Sequence, residues 1–158
     1  MEDFLTWLEE TSYSDWILTS AEGWPLMLTI HAIGLALVVG IVFAMNLRML
    51  GFYSTIPITS LHEFLRVAWV GIWLNIVTGL SIFMTQAVSY VHSVPFGLKI
   101  TFIILGIANL VYTQKTLRRE AASWQAAGAV PGKGILLAAS SLLFWILAVV
   151  TGRLIAYI

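Results

Sequence analysis

The sequence contains no cysteine, and only 10% of its 158 residues are charged. The missing thiols exclude disulfides, iron–sulfur clusters, cysteine-rich zinc sites and the covalent attachment of c-type haem. A soluble domain carries about 25% charged residues, whereas this chain combines few charges with 59% hydrophobic residues. The composition therefore excludes a water-soluble globule and indicates one small membrane domain.

The sequence also lacks the motifs of several enzyme and transporter classes. It has no P-loop, no G-x-S-x-G turn and no H-E-x-x-H pair, since His62 and Glu63 are not followed by a second histidine one turn later. Glu63 is the only acidic residue in a long apolar stretch, so a carboxylate proton relay has no members. Hydrolases and proton pumps are therefore disfavoured, and the absence of repeated halves disfavours a transporter.

Four apolar stretches are each long enough to cross the roughly 30 Å hydrocarbon layer as a helix. The four prolines lie at or just before the starts of these stretches, where a missing amide proton costs little. Residues 23–158 are therefore expected to form an all-α, integral membrane four-helix up-down bundle, and the third helix is expected to extend beyond its apolar part. The predicted spans are 24–47, 61–84, 96–116 and 135–158.

The first 22 residues form a separate predicted unit. They carry six acidic residues and no lysine or arginine, and Phe4, Leu5, Trp7 and Leu8 recur among the acids at helical spacing. This pattern is typical of an amphipathic helix that lies in the membrane interface. Residues 1–22 are therefore expected to form an N-terminal interfacial amphipathic helix on the outer surface.

The basic residues predict the orientation, because they favour the cytoplasmic side when they lie in short loops near span ends. Two of the eight, Lys99 and Arg153, lie near the helix ends on the opposite side. We therefore expect both termini to lie outside the membrane. The other six belong to the first and third connections or to their flanking turns: Arg48, Arg66, Lys115, Arg118, Arg119 and Lys133.

The start of the second span carries a local helix-start signal. Ser60-Leu61-His62-Glu63 fits the capping box, in which the serine and glutamate side chains satisfy free backbone amides. It predicts Ser60 as the N-cap and Glu63 as a capping residue. His62 is then a first-turn residue about 20 Å in depth from His31 by helical rise.

A few polar residues lie within the spans, where an unpaired polar group is expensive. His31 is seven residues into the first span, and Gly34 follows one turn later on the same face, where a flat ligand could approach the backbone. Asn75 lies mid-depth in the second span. Lys99 and Arg153 lie near the outer ends of the third and fourth spans. These residues are expected to converge in the outer half of the bundle.

His92 lies in the uncharged outer connection 86–94, so two imidazoles and two cations share one layer. Imidazole nitrogens bind haem iron axially, an apolar bundle solvates the macrocycle, and lysine and arginine pair with propionates. The sequence thus predicts one haem b whose two axial positions are filled, which favours electron transfer over oxygen chemistry. The axial ligands would be His31 and His92, and the remaining site residues Gly34, Lys99, Arg153 and Asn75.

Two alternatives stay open at this point. Met27 precedes His31 by one turn and Met84 lies towards His92, and two thioethers with two imidazoles would suit copper(I). Methionine is also a common filler of helix cores. In the second alternative His31 only hydrogen-bonds to Asn75 or to a hydroxyl, and the chain is a structural accessory subunit of a larger membrane complex.

The first span carries a recognisable pattern, LTIHAIGLAL at 28–37 followed by LRMLG at 47–51. It resembles a family of small four-helix proteins of the bacterial inner (plasma) membrane. More remotely, a histidine followed by glycine and closing on an arginine is similar to copper-resistance CopD-type domains and HemJ-type protoporphyrinogen oxidases. The resemblance implies a role for His31 and for Arg48, and because the HemJ-type proteins bind haem b, it favours a metal or haem site without choosing between the two.

The expected partners follow from this interpretation. The lipid bilayer surrounds the bundle, and a membrane or periplasmic redox protein exchanges electrons with it. The acidic N-terminal helix would dock a basic partner. A homo- or hetero-oligomer fits the sequence, no nucleic acid is expected, and an electron-transfer protein or subunit is expected rather than a stand-alone enzyme.

Overall fold

The computed structural model describes residues 2–157. Its regular structure is entirely helical, which confirms the all-α fold class. Two short helices precede the first long one, and a further short helix joins the second and third long ones. In chain order the helices are α1 (Glu2–Glu9), α2 (Ser12–Thr19), α3 (Gly23–Met49), a 3-10 helix (Ile58–Ser60), α4 (Leu61–Met84), α5 (Ala87–His92), α6 (Val94–Ala127) and α7 (Gly132–Leu154).

Four helices, α3, α4, α6 and α7, are long and apolar enough to cross a membrane. They leave large apolar side chains exposed along their length, such as Trp73 and Leu136, as helices that contact lipid do. The molecule is therefore a multi-pass membrane protein by its architecture. As expected, the third long helix continues past residue 116, and it ends at Gly128, whose φ of 69° is readily adopted by glycine.

The four long helices pack as two antiparallel hairpins, α3 with α4 and α6 with α7. Glycines allow the two helices of each hairpin to pack closely. A Cβ added to Gly71 of α4 would lie 2.7 Å from the carbonyl oxygen of Gly34 on α3, and one added to Gly106 of α6 would lie 3.1 Å from the ring of Trp145 on α7. Small residues at such crossings let helix backbones approach closely.

The bundle has two different ends. We call the end that carries α1, α2 and α5 the capped end, and the end with the connections 50–60 and 128–131 the basic end. The hairpins are joined most firmly towards the basic end, where Trp69 of α4 donates to Gln114 of α6 at 3.3 Å. The apolar core lies mainly in this half and includes Val42, Met45, Leu65, Leu110, Leu117 and Trp124.

The capping-box prediction at the start of α4 is wrong. Ser60 has helical backbone angles and its side chain caps no amide, because it belongs to the 3-10 helix that leads directly into α4. A distant residue satisfies the backbone instead, since the amide of Ile58 donates to Oε1 of Gln125 on α6 at 2.7 Å. A tertiary contact has thus replaced the local motif.

The N-terminal region is divided into two helices rather than one. Thr11 has extended backbone angles and its hydroxyl accepts a hydrogen bond from the amide of Ser14, so it ends one helix and caps the next. Leu5 and Ile17 are buried, whereas Phe4 and Trp7 are each 59% exposed. Each short helix therefore keeps an apolar inner face and an exposed aromatic face, which suits the membrane interface.

Candidate functional site

A cavity of about 400 Å³ lies between the two hairpins in the half of the bundle nearer the capped end. All four long helices contribute to its lining, which consists mostly of isoleucine, leucine, valine and phenylalanine side chains. The side chains in the lining that carry nitrogen are His31, Asn75, Lys99 and Trp145. A pocket of this size with few polar groups has the usual properties of a cofactor or small-molecule site.

His31 is held by the neighbouring helix. Its Nδ1 lies 2.8 Å from Oγ1 of Thr78 on α4, and the same hydroxyl donates to the carbonyl oxygen of Leu74 at 2.6 Å. Because a hydroxyl has a single proton, Thr78 must accept from His31, and Nδ1 is the protonated nitrogen. Nε2 then carries a lone pair and has no hydrogen-bond partner among residues 2–157.

The bond to Thr78 is the hydroxyl contact that a structural role for His31 requires. It is also the arrangement found around metal-binding histidines, in which a hydrogen bond to one ring nitrogen fixes the tautomer and orients the other nitrogen. What distinguishes the two roles is Nε2, which has no hydrogen-bond partner among residues 2–157 on a side chain that lines the cavity.

Asn75 is bound to its own helix. Its Nδ2 donates to the carbonyl oxygen of Gly71, one turn earlier, at 3.0 Å, and the side chain lines the cavity. A Cβ on Gly34 would collide with this same Nδ2. Gly34 is therefore packed against α4 and lies outside the cavity lining, so that it brings α3 and α4 together.

Lys99 enters the cavity from the opposite hairpin. Its aliphatic chain runs along Gly152 of α7, where an added Cβ would lie 3.3 Å from Cδ and 3.4 Å from Cε. Over residues 2–157 its ammonium group has no hydrogen bond or ion pair, and no aspartate or glutamate lines the cavity. The cavity therefore contains a cation-forming group without a counter-ion.

Trp145 was not singled out by the sequence analysis, nor was Thr78. The indole Nε1 of Trp145 is buried and has no hydrogen-bond partner in the part of the chain that the structure describes. Thr78 lies three residues after Asn75 on the same helix face. This spacing is the feature of the sequence that could have identified it. No pattern in the sequence marks Trp145, since a tryptophan in a span is ordinary.

His92 and Arg153 lie at the capped end but do not line the cavity. The His92 side chain is 66% exposed, and its Nε2 lies 3.9 Å from Oε1 of Glu2. The guanidinium of Arg153 lies 5.6 Å from the ring centre of Tyr157 and is exposed. The structure thus brings together His31, Asn75 and Lys99, and it places His92 and Arg153 outside that group.

Aromatic rings close the cavity towards the capped end. Tyr90 of α5 stacks on Phe83 and Phe96, with ring centres 6.3 and 5.3 Å apart, and both phenylalanines line the cavity. Burial raises the pKa of the Tyr90 hydroxyl, so the phenol stays neutral. The amide of Val88 at the start of α5 donates to Oε1 of Glu9 at 2.9 Å, and α1 thereby holds α5 in place.

The cavity does not bring together the ligands that the copper alternative requires. Met27 lines a second, apolar groove on the other side of α3 and α4, and neither Met27 nor Met84 lines the cavity of His31. Within residues 2–157 no three histidine, aspartate or glutamate side chains form a group that could hold a metal ion. His31 is the one member of the predicted copper set in the cavity.

Arg48 belongs to the basic end, far along α3 from His31. It is only 8% exposed, and its guanidinium donates to the carbonyl oxygens of Ile56 and Ser54. It lies in the last turn of α3, where a cation is favoured by the helix dipole. These contacts give Arg48 a structural task, which is to hold the connection after α3.

The fold and this site define a class: an all-α, multi-pass membrane protein with a largely apolar cavity between its helices, lined by an imidazole and an amine. The comparisons do not name a family within that class. No protein-family model, no curated protein and no solved structure matches this chain. The resemblance of the first span to inner-membrane and haem-binding families therefore stays a prediction.

Proposed function

We propose that this protein binds one haem b in the cavity between the hairpins and transfers electrons at the capped end of the bundle. The observation that carries the proposal is the state of His31. Its Nδ1 is fixed by Thr78, and its Nε2 carries a free lone pair at the cavity surface. A neutral imidazole nitrogen oriented in this way is the usual axial ligand of haem iron.

The remainder of the cavity suits the macrocycle. Its lining is almost entirely apolar, and a flat aromatic ligand is solvated by such side chains. The hairpins offer two opposing walls, one from α3 and α4 and the other from α6 and α7. Lys99 and Arg153, the cations of this half of the bundle, are the predicted partners of the haem carboxylates.

Electron transfer is the function that this placement of a cofactor favours. The cavity lies near one end of the bundle, so the edge of a bound macrocycle would be close to the surface there. The same end carries the acidic residues of α1 and α2, which would attract a basic redox partner. We propose that this end faces the periplasm of a bacterial inner membrane, with both termini outside.

The test is the absorption spectrum of the full-length protein, purified in detergent and supplied with hemin, before and after reduction by dithionite. We expect one haem per chain and a sharp α band in the reduced protein. His31→Gly should lose the band, and added imidazole should restore it by occupying the vacated position. His62→Gly is the matched control, because His62 bonds to Thr59 at the basic end, and it should keep the band.

Two outcomes would overturn the proposal. The wild-type protein could fail to take up haem, or His31→Gly could retain the wild-type spectrum without imidazole. A colourless protein that binds copper stoichiometrically would favour the copper alternative, and one that binds neither would leave the accessory role. Elemental analysis of the same preparation separates these two.

A further inference from the structure

Three side chains in the cavity lining have a nitrogen without a partner among residues 2–157: His31, Lys99 and Trp145. The indole of Trp145 is a donor only, so Lys99 is the one besides His31 that can offer a lone pair. We propose that its neutral amine is the second axial ligand of the iron, on the face of the macrocycle opposite His31. This inference rests on the proposed haem site. It gives Lys99 the position predicted for His92 in place of the carboxylate pairing described above, and it leaves the haem carboxylates to Arg153 and to water at the capped end.

The first argument is the placement of the two groups on opposite walls. His31 belongs to the α3–α4 hairpin, where Thr78 binds its Nδ1 and an added Cβ on Gly79 would lie 3.5 Å from its Cε1. Lys99 belongs to the α6–α7 hairpin and lies along Gly152. A flat macrocycle between the hairpins therefore presents one face to each nitrogen.

The second argument is the charge of the cavity. A charged side chain inside a span is costly unless it is paired or reaches water. No carboxylate lines this cavity, and over residues 2–157 the Lys99 nitrogen has no hydrogen-bond or ion-pair partner. No protein group therefore competes with a metal for the lone pair of a neutral amine at this position.

The third argument is the position of the competing residue. His92 is on the short helix α5, its side chain is 66% exposed, and Glu2 is its nearest charged neighbour. It is not part of the cavity surface. To reach the iron it would have to leave α1 and pass the stacked rings of Phe83, Tyr90 and Phe96. Lys99 is at the cavity already.

The experiment compares Lys99→Arg, Lys99→Leu and His92→Ala in the haem-loaded, full-length protein. Arginine keeps the positive charge for a carboxylate but cannot supply a lone pair, so it separates ligation from charge pairing. Electron paramagnetic resonance and near-infrared magnetic circular dichroism of the ferric protein report the spin state and the axial pair. We expect low-spin iron with a histidine–amine signature in the wild-type protein and in His92→Ala, and high-spin iron in both Lys99 variants.

A second readout is the binding of carbon monoxide to the ferrous protein. An internal ligand lowers the apparent affinity for carbon monoxide, because only the fraction of protein in which that ligand has left the iron can bind the gas. We expect the affinity to rise about tenfold or more in Lys99→Leu and Lys99→Arg, and to change less than about twofold in His92→Ala.

The results distinguish this inference from the haem proposal. Low-spin iron in Lys99→Arg together with high-spin iron in His92→Ala would overturn the assignment of Lys99 and restore His92, with the haem site intact. Low-spin iron in every variant would also overturn it. Failure of the wild-type protein to bind haem would instead overturn the proposed function itself.

Discussion

The two halves of the bundle treat polar side chains in opposite ways. Towards the basic end they bind across helix pairs, as when Nδ2 of Asn46 donates to Oγ of Ser141 at 2.9 Å. Nearer the capped end, His31 and Lys99 line a cavity, and neither Nε2 of His31 nor Nζ of Lys99 has a hydrogen-bond partner in the described chain. The polar groups of the spans are thus of two kinds, those that join helices and those that line the cavity without a partner. His31 carries one of each, since its Nδ1 bonds to Thr78.

Hydrophobic packing shows the same division. The half near the basic end contains most of the buried apolar core, whereas the half near the capped end contains the cavity. The first half thus supplies most of the apolar packing contacts, whereas the second half has the properties of a binding site.

The largest expected effect is on the crossing of α3 and α4, the hairpin that forms one wall of the cavity. Gly71→Ala places a Cβ 2.7 Å from the backbone of Gly34, so α3 and α4 must separate at a cost of about 1–3 kcal/mol. Gly40→Ala is the control, because nothing lies within 4 Å of its added Cβ. Unfolding in a denaturing detergent measures both, and equal stability of the two variants would contradict this account of the crossing.

Lys99→Leu should change the stability of the haem-free protein in the opposite direction. It removes an unpaired amine from the cavity and adds apolar contact, so we expect stabilisation by about 1 kcal/mol or more. Lys115→Leu, at an exposed position farther along α6, should change stability by less than about 0.5 kcal/mol. Destabilisation of the haem-free Lys99→Leu protein would show that Lys99 is already paired.

Ser141→Ala tests the polar residues that join helices by hydrogen bonds. It leaves Nδ2 of Asn46 without its acceptor in the buried interface, and interhelical hydrogen bonds in membranes are worth about 0.6 kcal/mol on average. We expect a loss of that size in detergent unfolding and no change in haem binding. Ser123→Ala, whose hydroxyl bonds only within α6, is the control and should be neutral.

The smallest effect concerns the cap. Glu9→Gln weakens the charged acceptor for the amide of Val88, so α5 should open more often while overall stability changes by about 0.5 kcal/mol or less. Hydrogen exchange at Val88 should be faster than in the wild-type protein, and haem should dissociate faster. Glu10→Gln, at the exposed turn residue that follows α1, should alter neither rate.

Hydropathy was sufficient to predict the four long helices, because burial in lipid requires nearly continuous apolar sequence. Local signals at the helix ends were less reliable. Thr11 acts as a cap, but its effect in dividing α1 from α2 was not recognised, and the capping box at Ser60 was overridden by Gln125. Contacts between distant residues decided both the start of α4 and the position of α5.

The site could be predicted only in part for a similar reason. His31, Asn75 and Lys99 stood out because polar groups in a span need an explanation. Which of them share a cavity depends on the rotation of each helix about its axis, and the sequence does not show that rotation. The same missing information hid Thr78 and Trp145. Nothing in the sequence showed that α5 would keep the side chain of His92 outside the cavity.

The joining of the hairpins near the basic end has a consequence for biogenesis. The wall that carries His31 is complete once α3 and α4 have been inserted, but the wall that carries Lys99 exists only after α7 has docked against α6. A flat prosthetic group therefore meets both walls only when synthesis of the last helix is finished. If haem binds as proposed, it would enter after that step and bridge the two hairpins.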